Sequence, residues 1–160
     1  MPKTSHKSLL LLLGLFVICT TGAVNGQRRR GAATAAASPS RLSGMKVIPY
    51  DRMSDSFSED IAGSNQERLN EIDLSYLVKV EVSGKAGEYS DRQVQITVHE
   101  GKKLIVSNTM MVGIFNEAGK YYVPVWIYGP LCQPTTIQAR LLGQKGAAPI
   151  KRTLKFQCGE

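Results

Sequence analysis

Lys120 to Tyr128 reads Lys-Tyr-Tyr-Val-Pro-Val-Trp-Ile-Tyr, the densest run of aromatic and β-branched residues in the chain. Side chains of an extended segment alternate between faces, so Tyr121, Val123, Val125 and Ile127 share one side. Tyr122, Pro124, Trp126 and Tyr128 share the other. The first set suits a core. The second is an aromatic row able to supply large contact area to a ligand or partner. The competing assignment swaps the faces, placing Trp126 in the core and anchoring the tyrosines by their hydroxyls.

Other chemistry finds less to work with. A Ser-His-Asp arrangement would have to use His99, the one histidine beyond the amino-terminal segment. His99 falls at the outward phase of a strand pattern just before a turn, where a solvated surface histidine is expected. Structural zinc needs converging His and Cys side chains that the chain does not supply. Asp51, Asp55, Glu59 and Asp60 are the nearest approach to a calcium loop, at spacings that match no loop pattern. No glycine-rich phosphate loop joins a strand to a helix. Glu81 and Glu100 sit on polar faces or turns, and a glycosidase-like carboxylate pair has no local signature. The expectation is a protein without cofactor or metal that is not an enzyme.

The elements that position these residues begin with an export signal. Lys3, His6 and Lys7 form a short positive region, and Leu9 to Cys19 is apolar apart from Gly14. At about 11 residues this run is too short for a membrane-spanning helix and fits a secretory leader. Small residues follow, with cleavage expected after Gly26 or, alternatively, after Ala23. The segment 1–26 is thus read as a signal peptide, and no membrane span is expected in the mature form. Removing Lys3 and Lys7 leaves 18 basic and 13 acidic residues, a formal charge of +5, which falls to +2 without Arg28, Arg29 and Arg30. The basicity is concentrated at one end, which argues against a nucleic-acid-binding face. The destination expected is secreted or extracellular, or periplasmic or envelope in a bacterial host.

Residues 27–70 read as a flexible basic, Ala- and Ser-rich tether. Met45, Val47, Ile48 and Tyr50 can add a short strand or drape over the domain. Ser64 with Glu67 matches a capping box for a short helix.

From residue 72 the period becomes two: Ile72, Leu74, Tyr76, Val78, Val80 and Val82 alternate with polar residues, and only Leu77 interrupts the polar face. Val94, Ile96 and Val98 alternate next. Glu100-Gly-Lys102 marks a tight turn, and Leu104 to Val106 returns as a hairpin. Pro124 places the aromatic strand at a sheet edge or at a bulge. Ile137, Ala139 and Leu141, then Ile150, Leu154 and Phe156, supply the last two strands. The pattern predicts an all-β fold, a small antiparallel β-sandwich over residues 71–160. In size and strand rhythm it resembles the immunoglobulin-like and fibronectin-like class.

Cys19 leaves with the leader, so Cys132 and Cys158 remain as a pair in an oxidising compartment, where a disulfide is expected. Closing a loop of about 25 residues contributes roughly 3 kcal/mol in the chain-entropy model. A hairpin centred near Lys145 sets the two cysteines opposite each other. Inward positions are odd on the first strand and even on the second, however, so a one-residue bulge is needed, and Pro134 is its expected place.

Together these features predict a secreted, non-catalytic binding or adhesion module engaging a protein or glycan, with Tyr122, Trp126 and Tyr128 as its contact residues. The alternative is a structural or assembly component of an extracellular or envelope complex, self-associating through an edge strand. A hydrolase with an unrecognised carboxylate site ranks last.

Overall fold

The computed structural model describes residues 40–70 and 73–158. The expected signal peptide, with both of its cleavage sites, and the arginine run lie outside the described residues.

Valine-rich, two-residue alternation produces the longest strands. β4 (Leu74–Ser83) buries Tyr76, Val78, Val80 and Val82 and turns Leu77, Lys79 and Glu81 outward. β5 (Gln93–Glu100) buries Val94, Ile96 and Val98. It is joined to β6 (Lys103–Met111) by the two-residue loop Gly101-Lys102. Gly101 opens that loop at φ +55°, as a type II′ turn requires. β7 (Lys120–Ile127), β8 (Thr135–Leu142) and β9 (Ile150–Cys158) complete the predicted set.

Three further strands precede them. β1 (Arg41–Asp51), β2 (Ser56–Phe57) and β3 (Glu67–Asn70) lie within the segment expected to be tether. The sandwich therefore includes strands from residue 41 onward, ahead of the expected start at 71. β1 pairs along its whole length with β4 and buries Met45, Val47 and Pro49 between the sheets. A bulge between Leu42 and Gly44 shifts the inward phase from even to odd positions, which conceals the alternation from a periodicity count. The short helix expected at Ser64 is absent as well. The Ser64 hydroxyl accepts the backbone N–H of Gln66, a local turn, and the chain then runs extended. β3 adds in parallel to β9.

The strands form two sheets, β2-β1-β4-β7 and β3-β9-β8-β5-β6. Apart from β3 with β9, every neighbouring pair is antiparallel. The chain changes sheet between β2 and β3, β3 and β4, β4 and β5, β6 and β7, and again between β7 and β8, so the architecture is an all-β sandwich of the expected class. Its core interleaves the inward rows of both sheets, with Tyr76 and Phe156 meeting across it at 5.0 Å between ring centroids.

Cys132 and Cys158 form a disulfide with Cα atoms 4.7 Å apart. The β8–β9 ladder runs from Thr135↔Leu154 to Ala139↔Ile150, one residue out of step with the cysteine pair. The offset demanded by the inward pattern is taken up in the irregular segment 131–134, where Pro134 lies. The Cys132 backbone N–H donates to Glu100 Oε1 at 2.7 Å, and the Gly101 N–H donates to the Pro134 carbonyl at 2.9 Å. The disulfide segment thereby clasps the β5–β6 turn.

Candidate functional site

Of the two face assignments that the sequence leaves open for β7, the structure has the one with the valines inward. Val123, Val125 and Ile127 are buried with Tyr121 packed against the core, while Tyr122, Pro124, Trp126 and Tyr128 face outward. Among the described residues the strand is an edge of the four-stranded sheet, pairing only with β4, and Pro124 carries no bulge with it. An edge is where a residue without an N–H is tolerated.

The register assembles the outer face of this sheet in rows. Gly44, Glu81 and Tyr122 are aligned across β1, β4 and β7; Lys46, Lys79 and Pro124 follow; then Ile48, Leu77 and Trp126; then Tyr50 beside Ser75. Phe57 of β2 pairs with Tyr50. Successive rows are roughly 7 Å apart along the strands. Leu77, the one interruption of the polar alternation, is thus the apolar centre between Ile48 and Trp126.

At the lower end the aromatic rings gather. Tyr50 lies 4.9 Å from Phe57 and 5.8 Å from Trp126, the latter pair edge-on at 74°. Phe57 and Trp126 are 6.2 Å apart, and Trp126 lies 6.1 Å from Tyr128 with the planes 16° apart. These spacings are those of mutually stabilising aromatic pairs. Phe57 and Tyr128 nevertheless remain 57% and 72% exposed. Ser75 shares this face by alternation yet is 1% exposed, and its Oγ makes no hydrogen bond.

A short connection holds Phe57 against Tyr50. Asp51 accepts the N–H groups of Met53 and Ser54 and the Ser54 hydroxyl, which together hold its carboxyl below the usual range. The Tyr50 hydroxyl donates to Asp55, a residue at φ +50°, and that bond raises the phenol above its ordinary pKa. Asp60 accepts the backbone N–H groups of Val47 and Ala62. Asp51, Asp55 and Asp60, considered for calcium, each have a structural partner. No three His, Cys, Asp or Glu side chains converge as a metal site among the described residues.

The upper rows border a groove of about 310 Å³ lined by Gly44, Met45, Lys46, Lys79, Glu81, Lys120 and Tyr122. Glu81 accepts the Ser43 hydroxyl at 2.9 Å and pairs with Lys120 at 3.1 Å. The Ser43 bond first, then Lys120, lowers the Glu81 pKa, and the same pairing raises that of Lys120. Lys79 stands 4.0 Å over the Tyr122 ring. A carboxylate kept ionised in this way is the reverse of what a general acid requires. A second cavity, about 70 Å³ beside Ser40, Tyr89 and Arg92, has room for a few waters only.

Of the residues expected to make contacts, Trp126 and Tyr128 belong to the aromatic group, whereas Tyr122 lies two rows away over Lys79. Tyr50, Phe57 and Lys46 join the face through pairing that the β1 bulge and the brief β2 obscured, and Lys79 joins it from the polar side of β4. His99 is half-buried on the outer side of β5. The chain matches no described protein family and no curated protein.

Proposed function

We propose that the protein is an exported, non-catalytic binding or adhesion module that engages a protein or glycan partner through the outer face of the β2-β1-β4-β7 sheet. The single observation carrying this reading is the group Tyr50, Phe57, Trp126 and Tyr128. Four aromatic side chains in mutual contact stay partly open to solvent instead of entering the core. An exposed aromatic cluster on a polar surface is the usual mark of an interaction site. Export is supported by the leader-like amino terminus and by the Cys132–Cys158 disulfide. Among the described residues no helix is long and apolar enough to cross a membrane.

The test is recovery of the protein on surface material from its own host, wild type beside Trp126→Ala. The reading expects recovery to fall by at least tenfold with the thermal unfolding midpoint nearly unchanged. Equal recovery of the two proteins contradicts it.

A structural or assembly role is the second reading, and β6 favours it. This edge strand is uncharged from Leu104 to Met111 and contains neither Pro nor Gly. Such an edge offers its backbone groups to another strand. Sedimentation over a concentration series checks it: reversible oligomers abolished by Ser107→Pro support assembly, and a monomer throughout removes it.

A further inference from the structure

The outer face carries an excess of positive charge directly beside its aromatic rows. Lys46 and Lys79 are register partners across β1 and β4. Like charges placed directly opposite on one face destabilise a sheet. Of the three lysines lining the groove, Lys120 is paired with Glu81. Lys46 and Lys79 make no ion pair among the described residues, and Lys79 is held only by the Tyr122 ring. The groove is therefore left with two uncompensated cations and a ready anion-sized opening. Gly44 keeps it open, since no side chain projects from that position into the space above Glu81.

We propose that this face binds an acidic polysaccharide, with a carboxylate or sulfate of the chain seated between Lys46 and Lys79 and neighbouring sugar rings lying on Trp126 and the aromatics beyond it. This rests on the reading of the face as a binding surface and names its ligand class. Charge complementarity selects an anion. The layout selects a sugar polymer over an acidic peptide for two reasons. The cationic row lies roughly 7 Å from the Trp126 row and about 14 Å from the Tyr50 row, which suits an extended chain laid along the strands. The aromatic rings also form a surface rather than a socket. The C–H side of a sugar ring stacks on the electron-rich face of an aromatic ring, whereas protein hot spots insert anchors into pockets. Tyr128, which is strongly exposed, offers its hydroxyl to the sugar at the aromatic end.

The probes are polygalacturonate and dextran sulfate, with neutral dextran and polyglutamate as controls, titrated against the full chain. Binding is followed by fluorescence of Trp126, the one tryptophan in the sequence. The expected result is binding to at least one acidic polysaccharide, at least tenfold tighter than to dextran or polyglutamate and weakened by added salt. The double variant Lys46→Gln/Lys79→Gln should lose at least tenfold. So should Gly44→Leu, which fills the groove while leaving every lysine in place. A Cβ at Gly44 meets only Glu81 Cβ at 3.7 Å, an ordinary contact, so this variant keeps its fold. Unchanged unfolding midpoints confirm that each loss is local.

Equal binding of polyglutamate would overturn the sugar assignment in favour of an acidic peptide. Undiminished binding by both groove variants would overturn the site and assign the attraction to charge elsewhere, including Arg28 to Arg30, which every variant retains. Failure to bind either acidic polysaccharide overturns the proposal too. In each of these cases the Trp126→Ala recovery on host surface material separates the two claims: if it still falls, the aromatic face stands without this ligand, and if it does not, both are wrong.

Discussion

Tyr50 shows how single residues hold the aromatic group in place. Its hydroxyl donates to Asp55, and this bond raises the phenol pKa. A group whose folded pKa is raised contributes stability below its unfolded value and loses it as pH rises through the folded one. The Tyr50–Phe57 contact should therefore persist to pH 10, the ordinary tyrosine value, and open only above it. Trp126 fluorescence followed against pH should show this alkaline transition, and Tyr50→Phe should abolish it. Ser75 acts in the opposite direction. A buried hydroxyl without a partner costs about 1–3 kcal/mol, so Ser75→Ala should raise stability by roughly 1 kcal/mol in urea unfolding. A loss of that size instead would mean the hydroxyl is bonded. Neither residue was legible as part of a site. Tyr50 lies beyond a bulge, and Ser75 reads as an ordinary polar position of an amphipathic strand.

At the scale of elements, what could be read depended on whether periodicity survived. β5, β8 and the aromatic β7 keep a two-residue rhythm, with Pro124 marking β7 as an edge, and β4 and β9 keep it despite Leu77 on the polar side of one and Arg152 on the inward side of the other. β1 loses its rhythm at Leu42–Gly44, where Ser43 is the extra residue. β3 is only four residues long and exists through its parallel pairing with β9, a long-range contact with no local pattern. Half of the candidate face was hidden for this reason, because Lys46, Ile48 and Tyr50 all come from β1. The consequence can be measured. A chain starting at residue 71 lacks the strand that covers β4 and should show no cooperative urea transition. One starting at Ser40 should unfold cooperatively. If the shorter chain also unfolds cooperatively, β1 is an accessory and not a core strand.

For the whole molecule, the disulfide and the outer face are separable. Cys132 and Cys158 tie the segment before β8 to the end of β9, and through Glu100 and Gly101 they also brace the β5–β6 turn. The aromatic face belongs to the other sheet. Replacing both cysteines by serine should cost about 3 kcal/mol in a denaturant titration, from the 26-residue separation, while leaving surface binding at native temperature unchanged. A parallel loss of binding would show that the two sheets do not act independently. The central claim, that a partner covers the outer face of the β2-β1-β4-β7 sheet, is tested most directly by quenching of Trp126 with acrylamide in the free protein and in protein bound to host surface material. Covering the face predicts that quenching falls several-fold on binding. Quenching equal in the bound and free states would place the partner elsewhere and contradict the account.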